Sequence, residues 1–296
     1  MTKFNKNSRL GFIGAGAVGG SLAVGLSLKG YNIEGVSSRT YVSAENLANR
    51  IEGCTAYRNE QAVADNADIV FITTPDDMIP KVSQSISWIP GQGVVHCSGA
   101  SSTDIFDSAT KMGAIPGAAH PLQAFSSIDE GVENLPGITF GIEGDPAMKL
   151  FLQHMAEDLN CTAVFLRPED KAIYHITAVM LGGLLLGYTA AVSALWDHIG
   201  LDRPQALNSL LGIMKGSINN MTAQGMPNAM AGPYTRGDIG TIKKHVETLN
   251  STAPDILQAY IEVAKIGLPF SVDKGSITEE QSKEITDILN GFKGDS

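Results

Sequence analysis

Leu10-Gly11-Phe12-Ile13-Gly14-Ala15-Gly16-Ala17-Val18-Gly19 decides the fold. Its first four residues are a short apolar run of the kind that forms a buried parallel strand. A glycine-rich turn follows at once. Then comes a stretch with helical character over residues 17–29, stopped by Gly30. Gly-x-Gly-x-x-Gly alone is common, but between a strand and a helix it is specific. Gly14 allows the tight turn, and Gly16 lets the backbone approach a pyrophosphate. Gly19 lets helix and strand pack closely, and the helix N-terminus favours the phosphate charge. Gly14, Ala15, Gly16, Ala17, Val18 and Gly19 are therefore expected to cradle a dinucleotide.

Outward from that turn, apolar runs at 33–36, 69–73 and 94–96 read as further parallel strands, and more are expected near 114–119, 138–142 and 163–166. Helical stretches at 44–51 and 78–88 separate them. This alternation predicts an α/β fold, a Rossmann-type doubly wound and mostly parallel sheet. After Arg167-Pro168 the strand pattern stops. Helices are expected over 169–199, 204–223, 239–249, 254–265 and 278–289, with Asp202 and Gln205 forming a capping box and Asp238 capping a later helix. The expected domains are thus 1–167, Rossmann-type, and 168–296, all helical.

The end of the second strand selects the nucleotide. An NAD site would place Asp or Glu there. Ser37-Ser38-Arg39-Thr40 stands there instead, and the hydroxyls of Ser38 and Thr40 with the Arg39 guanidinium suit a 2′-phosphate, so NADP(H) is the expected cofactor. Thr74 and Pro75, ending the fourth strand, are expected along the nicotinamide-side ribose.

Bulk properties narrow the partners. The 296 residues carry a net charge of −10. With no basic run, nucleic acid is not an expected partner. Cys54, Cys97 and Cys161 are widely spaced and form no CxxC pair, which suits a reducing compartment. The polar opening Met1–Leu10 is not a signal peptide, and the expected location is the cytoplasm. Residues 176–195 hold no charge, long enough to span a membrane. No basic flank orients them, so the expectation is a buried central helix of a soluble protein, partly covered by a second subunit.

Candidate chemistry gathers at strand ends. Ser98 follows the fifth strand and suits either a carbonyl contact or a helix cap. His120, in Ala118-Ala119-His120-Pro121-Leu122-Gln123, should face the crevice beyond the carboxyl ends of the strands, with Gln123 beside it. Lys171 and His175, four apart, share one helix face, and Tyr174 adjoins it. A proton donor for carbonyl or imine reduction is expected among His120, His175 and Lys171. Arg236 and Asp238, in Gly232-Pro233-Tyr234-Thr235-Arg236-Gly237-Asp238, suit carboxylate binding or a structural pair. No local spacing supports a metal site, and none is expected.

GAGAVG, SRT, TTPD, HCSGA, HPLQAF, Lys171-Ala-Ile-Tyr-His175 and GPYTRGD, in this order, resemble a bacterial family that joins a Rossmann-like domain to a C-terminal helical domain of unknown function. That family is similar to ketopantoate reductase, pyrroline-5-carboxylate reductase and the 6-phosphogluconate dehydrogenase group. The resemblance implies NADPH-dependent reduction of a small anionic 2-keto acid, with 2-dehydropantoate in pantothenate synthesis the best candidate. It also implies a homodimer formed through the helical domain, which would carry substrate contacts. Two alternatives stand beside it: an imine or pyrroline-carboxylate reductase, and a non-catalytic NADPH-binding regulatory dimer. Two departures are plain. The wider group carries Lys-x-x-x-Asn where this chain has His175, and the family often has Asn where this chain has Gly183.

Overall fold

A computed structural model describes residues 3–292; Met1 and Thr2 of the polar opening and residues 293–296 lie outside the described residues. Eight strands form one sheet: β1 (Arg9–Ile13), β2 (Asn32–Ser37), β3 (Thr55–Ala56), β4 (Ile69–Ile72), β5 (Gly93–His96), β6 (Ile115–Pro121), β7 (Thr139–Gly144) and β8 (Thr162–Phe165). Their spatial order is β3-β2-β1-β4-β5-β6-β7-β8. Every neighbouring pair is parallel except β6 with β7. The order reverses between β1 and β4, and ligands of such sheets bind beyond the strand ends at that switch.

The central strands β1, β4 and β5 sit where the apolar runs placed them because they are buried on both faces. Leu10, Phe12, Phe71 and Val95 pack into the core on one side. Ile13, Val70, Ile72 and Val94 pack into the core on the other. Phe12 and Phe71 stack with ring centroids 4.9 Å apart. Fully burying one such side chain stabilises by about 1.5–3 kcal/mol.

The chain divides into two compact units, residues 1–183 and 184–296. The division falls later than the change of pattern at Arg167. The segment Lys171–Val179 packs with the first unit, because Lys171 and Tyr174 reach back to β5 and β6.

The second unit is helical: Leu185–Ala194, Arg203–Gln224, Pro233–Arg236, Ile239–Thr252, Pro254–Asp273 and Glu279–Asn290. Ile242, Val246, Leu257, Ile261, Leu268, Ile285 and Leu289 form its core. Asp202 and Gln205 make the expected capping box, and the Asp238 carboxylate accepts the Thr241 N–H. The helix from Pro254 runs to Asp273, past the expected end at residue 265, with Pro269 inside it.

One expectation needs correction. The helical segment Pro168–Ile199 is long and apolar enough to cross a membrane, yet only 6% of its apolar window is buried within the chain. It is not a buried central helix of this chain. Ile173, Ile176, Leu181, Leu184 and Leu186 are exposed, and so are Leu211 and Ile213 further on.

Candidate functional site

The glycine turn has the conformation its sequence requires. Gly14 has φ of +116°, and a side chain there would strike the Thr73 carbonyl at 2.7 Å. At Gly19 a Cβ would run into Thr73 Oγ1 and the Gly14 carbonyl. Thr73 locks the turn from β4 by donating its hydroxyl to the Gly14 carbonyl at 2.9 Å. A Cβ at Gly16, by contrast, would meet nothing within 4 Å. Gly16 is the N-cap of the helix Ala17–Leu28, and no side chain caps it. Ser37 Oγ and Thr74 Oγ1, at the ends of β2 and β4, are buried without a hydrogen-bond partner. An open backbone, an uncapped helix N-terminus and two orphaned hydroxyls fit a pyrophosphate and its ribose.

Beside β2, Ser38 is half-buried and Arg39 and Thr40 are exposed. Thr40 Oγ1 pairs with Ser43 Oγ at 2.6 Å, so that hydroxyl already has a local task. A further cation was not singled out in the sequence. Val36 pairs with Ala56 in parallel register, and the Tyr57 N–H donates to the Val36 carbonyl. Arg58 follows directly. The Arg58 guanidinium lies 4.3 Å over the Tyr41 ring. Arg39 and Arg58 are therefore the cations available to a 2′-phosphate. The missed signal is a basic residue just after the third strand, which is only two residues long.

Pro75 is an exposed N-cap next to Asp76. Asp76 Oδ2 accepts the Ser98 hydroxyl at 2.6 Å, which ties the ends of β4 and β5 together. Every polar group of Ser98 is engaged. Its N–H donates to His96 Nδ1 at 3.1 Å, its hydroxyl also accepts the Ser101 N–H, and its carbonyl accepts Lys171 Nζ at 3.0 Å. Because Nδ1 accepts, the His96 proton sits on Nε2 and is directed at the Ser102 carbonyl, 3.3 Å away. Burial pushes the His96 pKa down to about 3, with Lys171 adding to the effect. His96 is thus a neutral brace for the loop after β5.

Lys171 is fully buried. Burial lowers its pKa, and Glu143 opposes that shift. Glu143 Oε1 accepts from the Thr103 N–H and hydroxyl at 3.0 and 2.8 Å. Its Oε2 is buried with no partner. Lys171 therefore holds the Ser98 backbone and balances a buried carboxylate.

His120 ends β6 as expected, and Tyr174 and His175 come to it from the helix Lys171–Val179. The His120 and His175 rings meet edge to face, centroids 5.6 Å apart. The Tyr174 hydroxyl lies 3.2 Å from His120 Nδ1 and 3.3 Å from the His120 carbonyl, to which it donates. Gly99 makes room for both rings: a Cβ there would overlap His175 and come within 2.9 Å of His120 Nε2. Burial, then His175, then Lys171 lower the His120 pKa to about 4. Burial pushes Tyr174 up to about 12. Both groups are neutral near pH 7.

His120 and His175 open onto a cleft of about 400 Å³, lined also by Leu122, Gln123, Val179 and Gly183. Gln123 turns its amide onto its own loop, where Oε1 accepts the Ala124 N–H at 2.8 Å. Arg236 and Asp238 belong to the second unit. Arg236 is exposed at the end of its short helix, and Asp238 caps the next. His245 pairs with the Tyr260 hydroxyl at 2.7 Å, also in the second unit. Among the described residues no cluster of three metal-ligating side chains occurs.

Comparison with known proteins agrees with this architecture. Residues 4–121 match the Rossmann-like domain family, and residues 138–266 match the family described as Domain of unknown function (DUF2520). No curated protein matches the sequence. A Thermotoga maritima protein of known structure is 23% identical with a TM-score of 0.72, over 90% of this chain and 99% of its own. Pyrroline carboxylate reductase from Plasmodium falciparum, solved with NADP bound, is 13% identical with a TM-score of 0.62, over 97% and 100%. The reductive aminase from Aspergillus terreus, in complex with NADPH and ethyl-5-oxohexanoate, is 15% identical with a TM-score of 0.59, over 96% and 93%. At these identities the likeness is one of fold.

Proposed function

We propose that this protein is an NADP(H)-dependent reductase of a small compound bearing a C=O or C=N bond. The observation that carries this reading is the convergence at one sheet edge. The Gly14–Gly19 cradle, the Thr74 hydroxyl, the Ser98–Asp76 tie and the His120–Tyr174–His175 group all follow the carboxyl ends of β1, β4, β5 and β6 or pack on them. A nucleotide sensor needs no proton-handling groups beside its cradle. The similarity in fold to a pyrroline carboxylate reductase and a reductive aminase supports the same chemistry.

Bound NADPH would supply the hydride. Arg39, Arg58 and Ser38 hold the 2′-phosphate end, and the glycine turn with the helix N-terminus holds the pyrophosphate. His120, neutral near pH 7, polarises the substrate double bond as a hydrogen-bond donor, a role open to a neutral imidazole in a desolvated site. For that role the Tyr174 hydroxyl donates to Nδ1 in place of the His120 carbonyl, which leaves the ring proton on Nε2. His175 is the second donor within reach of the same atom. Lys171 acts on the backbone of Ser98 and not on the substrate.

Reduction of a 2-keto acid such as 2-dehydropantoate falls within this class. Imine reduction is the second reading, favoured by the two reductases acting on C–N bonds among the similar folds. We further propose a cytoplasmic homodimer in which a second copy covers the exposed apolar face of the helical unit around Leu186 and Ile213. A screen of NADPH absorbance against keto acids, neutral ketones and cyclic imines tests the reading. Oxidation with any of them, lost in His120→Ala, supports it; NADPH binding without oxidation across the panel rejects it.

A further inference from the structure

The cleft beside His120 and His175 has a wall whose composition restricts what can enter. Leu122, Ala124, Ala178, Val179 and Leu181 supply apolar surface, and Gly182 and Gly183 supply bare backbone. Those glycines belong to a π-helical turn, Met180–Leu184, a distortion that recurs at functional sites. A Cβ at either would meet nothing within 4 Å. The space beside the histidines is therefore kept open by missing side chains.

The polar part of the wall is His120, Gln123, His175 and Thr177. Gln123 is turned to its own loop, and the Thr177 hydroxyl donates to the Tyr174 carbonyl at 2.6 Å. His120 Nε2 and the ring nitrogens of His175 are left for a ligand; His120 Nδ1 is engaged by the Tyr174 hydroxyl. Within residues 1–183 no Lys or Arg lines the cleft. Lys171, the basic residue of the helix that carries His175, is fully buried, and its ammonium donates to the Ser98 carbonyl. A carboxylate placed against these residues would gain no cation from them.

We propose, building on the reductase reading, that the cleft selects an uncharged ketone, aldehyde or imine with a branched apolar flank, and that Gly182 and Gly183 set the size of that flank. This departs from the anionic keto acid that the sequence resemblance implies. A carbonyl oxygen or imine nitrogen asks only for the hydrogen bond that His120 or His175 can give. The flank then lies against Leu122, Val179 and the glycine backbone, gaining the burial that an apolar group needs.

A matched pair of probes tests this directly: 3-methylbutan-2-one and 3-methyl-2-oxobutanoate, which differ by a methyl in place of a carboxylate. Dissociation constants are measured by ligand-observed NMR on the full chain saturated with NADP+. The ketone is expected to bind at least about ten-fold more tightly than the keto acid. Gly183→Ala and then Gly183→Leu should weaken the ketone in steps while NADPH affinity, read by its fluorescence, is unchanged. Alanine is a better helix former than glycine, so the milder variant keeps the fold. Equal or tighter binding of the keto acid overturns the proposal, as does absence of ketone binding, or ketone affinity indifferent to both Gly183 variants. Ketone binding with no NADPH oxidation by any ketone, keto acid or cyclic imine would leave this proposal standing and remove the reductase reading. Oxidation driven by the keto acid alone would do the reverse.

Discussion

The Tyr174 hydroxyl meets His120 twice, 3.2 Å from Nδ1 and 3.3 Å from the carbonyl oxygen. One hydroxyl proton serves only one of those acceptors at a time. When it goes to the carbonyl, Nδ1 carries the imidazole proton and Nε2 is bare. When it goes to Nδ1, Nε2 becomes the donor. Tyr174 therefore governs which His120 nitrogen can donate. Tyr174→Phe is expected to lower kcat about 10- to 100-fold, less than the roughly 100- to 10,000-fold of losing the acid itself, with NADPH affinity unchanged. Steady-state kinetics beside fluorescence titration measures both, and an unchanged kcat would remove Tyr174 from the mechanism.

Two histidines make the fold sensitive to acid. His96 is lowered to about 3 and His120 to about 4, both chiefly by burial. Unfolded, each titrates near 6.5. Between those limits the unfolded chain binds the extra proton, so stability rises with pH through the window and is lost as pH falls below about 6.5. Each histidine contributes a slope of about 1.4 kcal/mol per pH unit. Urea melts from pH 7 to pH 4.5 should show a falling midpoint, and His96→Asn should flatten that dependence while lowering stability at pH 7.

Arg58 should matter for NADPH and not for NADH. Removing a charge-assisted hydrogen bond to phosphate costs about 1.5–3 kcal/mol, or roughly 10- to 150-fold in affinity. Arg39→Ala and Arg58→Ala are each expected to weaken NADPH by that factor. Calorimetric titration with both nucleotides checks this. Parallel losses for NADH would assign the arginines to the adenosine and not to the 2′-phosphate.

Lys171→Met removes the cation that balances Glu143 and leaves a buried carboxylate alone. The two groups are not in direct contact, so the loss is expected to fall below the roughly 3–5 kcal/mol of a broken buried ion pair. Thermal or urea unfolding should show that loss, and the double variant Lys171→Met with Glu143→Gln should recover part of it. If the double variant is no more stable than the single one, Lys171 is not paired with Glu143.

Leu186 and Ile213 are exposed apolar residues. If a second copy covers this face, Leu186→Glu with Ile213→Glu should convert a dimer into a monomer in light scattering. A wild-type chain that runs as a monomer at micromolar concentration would sink the proposed dimer.

The strand–turn–helix at Gly14, the run of parallel strands and the placing of His120 at a strand end were legible because each rests on local pattern. The shared face of Lys171, Tyr174 and His175 was legible from helical spacing. Other features depend on what folds against what. Arg58 gains its place only from the register of a two-residue strand. His96 looked like a strand-end histidine, and only the Ser98 N–H on its Nδ1 fixes its state. Lys171 and Ser98 read as chemical groups in sequence, but in the fold they bind each other. The exposure of residues 168–199 was hidden because composition measures how apolar a helix is and not whether anything covers it.

Gly99 carries neither charge nor hydroxyl, yet the two imidazoles meet over the space its side chain would occupy. The distance between the two histidines is therefore set by an omission, which is the most exacting kind of sequence requirement. Any replacement at this position must push one ring or the other away. The pair could then be lost without altering either histidine, and a relative that keeps both but fills that gap would be a different catalyst on the same frame.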